Sequence, residues 1–551
     1  MGKTLTVNSD NIEKELKMME LTEEQKNIVK TVYDEEPVIK INAYAGTGKT
    51  TTLVEIVKEI RKVDPRSRVL YLVFNRMMAK QASTKFTGLN VECYTAHAFA
   101  IKRMALLGEH VNVIDGSKFT NEFFNLKQEN FRYKYASYKK FKLLMETYTA
   151  SAMEMPEFIK TVRREGIDRE KFKDLDLEFF ETLYNKLLRE HKYTHGMYLK
   201  EYARNYNDVI RDYDYVLLDE AQDLNPFMMD IIKRIKRKKL YVVGDNYQQI
   251  YAWNNAVNSM QKYDGDLYPL SKSFRFNDEI RKIADLILRF QDSYRESNNR
   301  ITNVHNETRY DENKVTILFR TNSAMLEEAI EIVTSDEDKI KVHFMDIING
   351  GEADSFEKTF SEMLQFTKVL LEDCYGDKSK IYIEFNKKFP VKVTSKMIKA
   401  YKRIATEENY PSLYDYLVEN HDSLPLEYLR YWAIFRMLAY DIVDVFEKVR
   451  KAELITDFEK EYTLCTAHRA KGLEWEYVVI APDAWKIGNL DEINLLYVAC
   501  TRAMRKLDYS GIANTLTYIK EKIDEKESDD TLFDCDDGPS EETLRYLEEL
   551  G

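Results

Sequence analysis

Residues 38–50, VIKINAYAGTGKT, restrict the fold more than any other part of the chain. A strand-like, mostly apolar run leads into a turn of small residues, then into Lys49, Thr50 and the segment TTLVEIVKEI, whose apolar positions recur at helical spacing. Strand, bulk-free turn and helix start together predict a loop whose backbone N–H groups curl round an anion at a helix N-terminus. The spacing Ala43-x-x-x-x-Gly48-Lys49-Thr50 is that of a P-loop with Ala in the first glycine position. In such a loop Ala45, Gly46, Thr47, Gly48 and Thr51 surround the phosphates. Lys49 brings a cation to the β- and γ-phosphates, and Thr50 a hydroxyl to Mg2+. The pattern implies an α/β core and a nucleoside triphosphate, and nothing narrower.

The rest of the chain extends that core. RVLYLVFN and NVECYTAHAF read as further strands, and DYVLLDEAQD and LYVVGDNYQQ resume the pattern after a charged, aromatic, helix-rich stretch. A second alternating block begins at KVTILFRTN and continues at EYVVIAPDAW and KLDYSGI, again interrupted by a mostly helical segment. At 551 residues the chain exceeds a single core. The expected fold class is therefore α/β, with two parallel-sheet cores that each host a helical insertion. The expected boundaries are 1–99 and 208–280 for the first core around an insertion at 100–207. Those for the second are 281–349 and 459–520, around an insertion at 350–458.

The net charge of −12 argues against a nucleic-acid binder only until it is divided. Residues 521–551 hold 13 acidic and 3 basic side chains, a net −10, which leaves −2 for residues 1–520. That last segment reads as an acidic, flexible tail, a place where a protein partner could dock. The run KRIKRKK, residues 233–239, reads as an exposed helix end. Five cysteines, far apart and without a C-x-x-C pair, argue for a reducing compartment and against a disulfide framework. No apolar run reaches the ~18 residues of a membrane span, so no membrane is expected. The setting expected is the cytoplasm of a bacterium or phage-infected host, or the nucleus if the source is eukaryotic.

Two further stretches fit triphosphate chemistry. In VLLDEAQD the apolar run delivers Asp219 and Glu220 to the end of a strand. Asp219 suits the Mg2+ shell, and Glu220 suits a base for the attacking water. In LLYVACTRAMRKL Arg502 follows an apolar run, which reads as a helix start. An arginine supplied by a second domain can stabilise charge on the γ-phosphate.

With these in order, the chain resembles the UvrD/Rep/PcrA group of superfamily 1 helicases across nearly its whole length. LTEEQKNIV is similar to the Q motif, with Gln25 on the adenine edge. AYAGTGKT and LLDEAQD are similar to the phosphate and Mg2+ motifs. VGDNYQQIYAW resembles motif III, with Gln248 sensing the γ-phosphate. SFRFNDEIR resembles motif IV, with Phe274 stacking on adenine and Arg275 at the γ-phosphate. TAHRAKGLEWEYVVI is similar to motif V, with Glu474 near the ribose. NLLYVACTRA is similar to motif VI, with Arg502 as an arginine finger. The phrasing of TAHAF and NLLYVACTRA leans toward the F-box DNA helicase branch, although no F-box region is read ahead of the core.

The resemblance implies two RecA-like cores that close on ATP and Mg2+ and reopen on hydrolysis, hauling single-stranded DNA in the 3′→5′ direction. Single strands and single/double-strand junctions are the expected substrates. Phe74, Tyr251 and Trp253 would stack on bases, and His97 and His468, in the similar settings CYTAHAF and CTAHRAKG, would touch backbone phosphates. Two departures stand out. Asn254 follows Trp253 where relatives carry Arg, and the segment after motif VI leaves little room for a strand-separating hairpin. Translocation, or stripping of proteins such as recombinase filaments from DNA, is thereby better supported than vigorous unwinding. A role as ATPase subunit of a larger complex is the third expectation.

Overall fold

The computed structural model describes residues 21–73, 76–114, 135–151, 153–164, 177–206, 210–224, 226–250, 260, 262–292, 301–304, 308–335, 339–345 and 356–530. The chain divides between Phe274 and Arg275 into two compact units.

In the first unit, β1 (Val38–Ala43), β2 (Val69–Val73), β3 (Val91–Thr95), β4 (Tyr215–Leu218), β5 (Lys239–Gly244) and β6 (Asp266–Leu270) form one sheet in the order β3-β2-β4-β5-β1-β6. Every pairing is parallel. The inner strands VLYLV, YVLL and KLYVVG are buried at every position, as strands covered on both faces must be. DLYPL lies at the edge, where Pro269 removes no needed donor.

Alternation along the strands sorts the two faces. Val69, Tyr71, Leu217 and Tyr241 pack with the P-loop helix Lys49–Val63, whose buried stripe is Thr52, Leu53, Ile56, Val57 and Ile60. Each fully buried aliphatic side chain there stabilises the packing by about 1.5–3 kcal/mol, an upper bound. Leu70, Leu72, Leu218 and Leu240 face the other way and join the core of the insertion.

That insertion contains helices Tyr135–Ala150, Met155–Arg164, Leu177–Arg189 and His195–Asn205. A short parallel pair, Asn112–Val113 with Lys192–Tyr193, closes it. Lys200 is buried, and its Nζ donates to the carbonyls of Tyr148, Ser151 and Met153 at 2.8, 3.0 and 2.8 Å. These carbonyls lie at and just past a helix end, and one ammonium reaches all three, joining the Ser151 N–H and hydroxyl at that of Tyr148.

The basic run 233–239 is not a free helix end. Its helix stops at Lys233, Arg237 donates to the carbonyls of Ile232 and Ile235, and Lys239 lies buried in β5, donating to Thr31 and Asp34. The long stems pack while the charges cap loops.

The second unit has a five-stranded parallel sheet of β7 (Lys314–Phe319), β8 (Ile340–Phe344), β9 (Lys460–Thr466), β10 (Trp475–Ile480) and β11 (Ala503–Asp508), ordered β8-β9-β7-β10-β11. Six helices between Phe356 and Ala452 separate β8 from β9 and share one apolar core with the sheet. The strands β6 and β9 escape a pattern reading because each mixes charged with apolar residues without a regular period, whereas β8, IKVHF, alternates buried with half-buried positions.

Helix Ala513–Asp530 runs into the stretch read as tail. Leu516, Ile519 and Ile523, spaced three and four apart, form a buried stripe that carries the helix on. Residues 531–551 lie outside the described residues. Among the described residues no helix is long and apolar enough to cross a membrane.

Candidate nucleotide site and strand-contact residues

The parallel strands of the first unit all point the same way, so the loops after β1, β4 and β5 meet at one edge, where open α/β sheets bind ligands. After β1 the chain turns through Gly46 and Gly48 at φ of 73° and 79°. Thr47 Oγ1 donates to the Tyr44 carbonyl at 2.9 Å, which tightens the turn. Thr50 and Thr51 occupy the first turn of the helix that Lys49 opens.

A Cβ added to Gly48 would lie 3.0 Å from Gln25 Nε2 and 3.7 Å from Phe274 Cε2. Gln25 and Phe274 thus reach the same side of the loop. Gln25 is held by a capping box with Thr22 and donates to Thr52 Oγ1 at 3.1 Å. The Phe274 N–H donates to the Gly46 carbonyl at 2.8 Å.

Lys49 Nζ lies 3.3 Å from Glu220 Oε1. Burial alone would lower the lysine pKa, but Glu220, Asp245 and Asp219 outweigh it and hold it above its ordinary value. Asp219 accepts from the Tyr71 hydroxyl at 2.7 Å and from the Glu220 N–H at 2.9 Å. Burial, together with the Glu220 charge, raises its pKa. Glu220 itself sits at φ 52°, a left-handed conformation that a non-glycine residue adopts at some cost.

Gln222 spans the next gap. Its Nε2 donates to Glu220 Oε2, and its Oε1 accepts the Asp245 N–H at 3.1 Å. Gly244 leaves room for this side chain, since a Cβ there would lie 2.6 Å from Gln222 Oε1 and displace it. Gln248 Nε2 donates to Asp245 Oδ2 at 2.8 Å. Burial pushes the Asp245 carboxyl up to about 6 against the pull of Lys49.

Three buried carboxylates therefore share one ammonium. A divalent cation would offset that excess. Among the described residues no three acidic, His or Cys groups form a metal nest of their own. Mg2+ is bound through one or two carboxylates plus phosphate oxygens and water, so Asp219 and Thr50 suit it.

In the second unit, Arg275, Glu474 and Arg502 come together. Arg275 Nε donates to Glu474 Oε2 at 2.8 Å, and its Nη1 to the Thr501 carbonyl at 3.1 Å. Arg502 does not open a helix, contrary to the sequence expectation. The run NLLYVAC is itself the end of helix Leu490–Cys500, and Arg502 lies just past it, before β11. Its Nε donates to the Val498 carbonyl at 2.8 Å, Nη1 to Leu473 at 3.2 Å and Nη2 to Thr501 Oγ1 at 3.1 Å, with only 1% of the residue exposed. Glu474 in the neighbouring turn is half exposed.

Residues 21–267 match the UvrD/REP helicase N-terminal domain, and residues 462–507 the UvrD-like helicase C-terminal domain. The chain belongs to the UvrD/Rep helicase family. It is similar to F-box DNA helicase protein 1 of Schizosaccharomyces pombe, 26% identical over 88% of this chain and 57% of that protein. Similarity to F-box DNA helicase 1 of Gallus gallus is 27% over 89% of this chain and 49% of that one. A probable DNA helicase II homolog of Mycoplasma genitalium is 23% identical over 85% and 82%. The chain spans about half the length of the two F-box helicases it matches.

Of the strand-contact residues that the UvrD/Rep resemblance implies, His97 and His468 take parallel positions. Each is the second residue of a helix that follows a strand ending in Thr, β3 in one unit and β9 in the other. Burial lowers both imidazole pKa values to about 4, with His195 and Arg76 adding to the effect at His97 and Arg320 at His468. Phe74, Tyr251, Trp253 and Asn254 lie outside the described residues.

Tyr71, Gln222 and Asp245 belong to this cluster and were not singled out from sequence. Asp245 carried a usable signal, since VVGD repeats the apolar-run-then-acid order of VLLD. Tyr71 carried none, because a tyrosine inside an apolar strand reads as core.

Proposed function

We propose that the chain is an ATP-dependent DNA helicase or translocase that moves on single-stranded DNA, in the 3′→5′ direction. The buried cluster of Lys49, Asp219, Glu220 and Asp245 at the sheet edge, within a UvrD/Rep-family chain, carries the reading. Lys49 and the backbone N–H groups of residues 45–48 bind the phosphates of ATP, and Asp219 and Thr50 the Mg2+. When bound, that ion neutralises charge on the transferred phosphoryl group. Glu220 takes the proton of the attacking water, and Gln248, hydrogen-bonded to Asp245, orients the γ-phosphate. Gln25 and Phe274 hold the adenine, and Arg275, Glu474 and Arg502 are the candidate nucleotide contacts that the family resemblance implies in the second unit. His97, His468, Phe74, Tyr251 and Trp253 grip the strand. Steady-state ATPase with and without single-stranded DNA is the test. Activity that is absent in Glu220→Gln and rises with the strand is expected, and turnover indifferent to DNA would overturn the reading.

A second reading puts protein displacement ahead of unwinding. Residues 503–530 run from β11 through a single turn at Ser510–Ile512 directly into helix Ala513–Asp530, leaving no hairpin there. Unwinding of a tailed fork and clearance of a recombinase filament, measured side by side, separate the two. Preference for the fork would discard the second.

A further inference from the structure

His97 faces a second histidine, one supplied by the insertion. His195 opens helix His195–Asn205, and its ring centroid lies 5.8 Å from that of His97, the planes at 82°. Tyr198, in the next turn, closes the triangle. Its ring stands 5.5 Å from His97 at 84°, and its hydroxyl 3.0 Å from His195 Nδ1.

Tyr198 is buried, and burial keeps its hydroxyl protonated well beyond the usual range. That hydroxyl can donate to Nδ1, which leaves the His195 proton on Nε2. His195 is exposed, and Nε2 meets no partner among the described residues. His97 Nδ1 is enclosed, also without a hydrogen-bond partner.

Arg76 is the third member. It begins helix Arg76–Lys85, is exposed, and makes no ion pair among the described residues. It stands close enough that its charge lowers the pKa of both imidazoles after burial has done so. No carboxylate contributes to the electrostatics of His97, His195 or Tyr198. A guanidinium and two neutral imidazoles without an acid suit an anion, and among the described residues no three metal-binding groups converge.

We propose that His195 and Arg76 bind a backbone phosphate of the single strand beside His97, so that the insertion takes part in gripping DNA. Tyr198 is a positioning residue that fixes the His195 tautomer. This rests on the reading above that the chain binds a single strand near His97.

The test is anisotropy of a fluorescein-labelled oligothymidylate with the full chain over a salt series, with melting temperatures recorded. His195→Phe keeps a ring against His97 and Tyr198 but loses the N–H, and is expected to weaken binding about ten-fold. His195→Gln, whose amide can donate, is expected to recover most of the loss. Arg76→Gln should reduce the slope of log K against log salt by about 0.7, one phosphate contact on a single strand. His195→Phe binding like wild type, His195→Gln as weak as His195→Phe, or an unchanged slope in Arg76→Gln would each overturn the inference. Failure of the wild-type chain to bind the oligomer would instead sink the helicase reading, and this inference with it.

Discussion

Lys49 Nζ and Glu220 Oε1 stand 3.3 Å apart, with both side chains largely sealed from solvent. The cation of the phosphate loop is thus paired with the carboxylate assigned to activate water. Removing either partner has opposite consequences. Lys49→Ala leaves Glu220, Asp219 and Asp245 without a cation in a dry site, a loss of about 3–5 kcal/mol. It is expected to lower the melting temperature and to abolish nucleotide binding. Glu220→Gln removes one charge from an over-acidic cluster, so stability should hold or rise. ATP affinity should persist while turnover falls by about 10²–10⁴, read by fluorescent-nucleotide titration beside phosphate release. A Glu220→Gln protein that hydrolyses ATP normally would assign the base elsewhere.

Asp245 gives the first unit a pH dependence of definite sign. Its folded pKa of about 6 exceeds an unfolded value of about 3.9, so the native state holds the extra proton between those limits. The stability linked to that proton is present at lower pH and is lost as pH rises through 6, by up to about 1.4 kcal/mol per unit. Asp245→Asn removes the effect. It retains an acceptor for the Tyr247 N–H, and Gln248 can turn its carbonyl toward the new amide. Native-state hydrogen exchange of the β5 amides should show a gap between the two proteins that shifts by about 2 kcal/mol in favour of Asp245→Asn from about pH 4.5 to 7. Equal profiles would mean that Asp245 ionises normally.

Arg502 and Arg275 should separate stability from turnover. Arg502 spans two carbonyls and a hydroxyl in a buried turn, a geometry that only a guanidinium fork satisfies. Arg502→Lys is expected to cost about 1–3 kcal/mol in the second unit and to lose ATPase activity. The Arg275–Glu474 ion pair is half exposed at Glu474 and contributes little to stability. Arg275→Ala should therefore lose activity with its melting temperature nearly unchanged. If both variants melt alike, the cap read from Arg502 has no energetic weight.

How much of this was legible beforehand depends on whether a residue's task is local. Lys49, Thr50, Asp219 and Glu220 could be placed because strand, turn and helix start follow one another in sequence and fix their geometry by themselves. The inner strands were legible for the same reason, as continuous apolar runs. Lys460–Thr466 was not, because pairing with β7 and β8 stabilises a strand whose own pattern is mixed. Arg502 was misplaced since an apolar run before a charge fits a helix end as well as a strand end. The His97, His195 and Tyr198 group was out of reach altogether. Its members are joined only by tertiary contact across an insertion.

Lys200 shows what such contacts are worth. The residue is 1% exposed and its Nζ donates to three carbonyls while standing 3.5 Å from the centroid of the Tyr148 ring. Lys200→Met preserves the volume of the stem but removes the donor shared by the three carbonyls, of which, among the described residues, only that of Tyr148 keeps partners, the Ser151 N–H and hydroxyl. Each lost partner costs about 1 kcal/mol or more, so the insertion should lose about 2–4 kcal/mol. The sheet packs against the same apolar cluster, yet its strands keep their own ladder, so the loss should be local. Limited proteolysis would then cleave within residues 135–205 well before the strands, and hydrogen exchange would quicken in helices Tyr135–Ala150 and His195–Asn205 while β4 and β5 stay protected. Uniform loosening of sheet and insertion together would instead make them one cooperative unit.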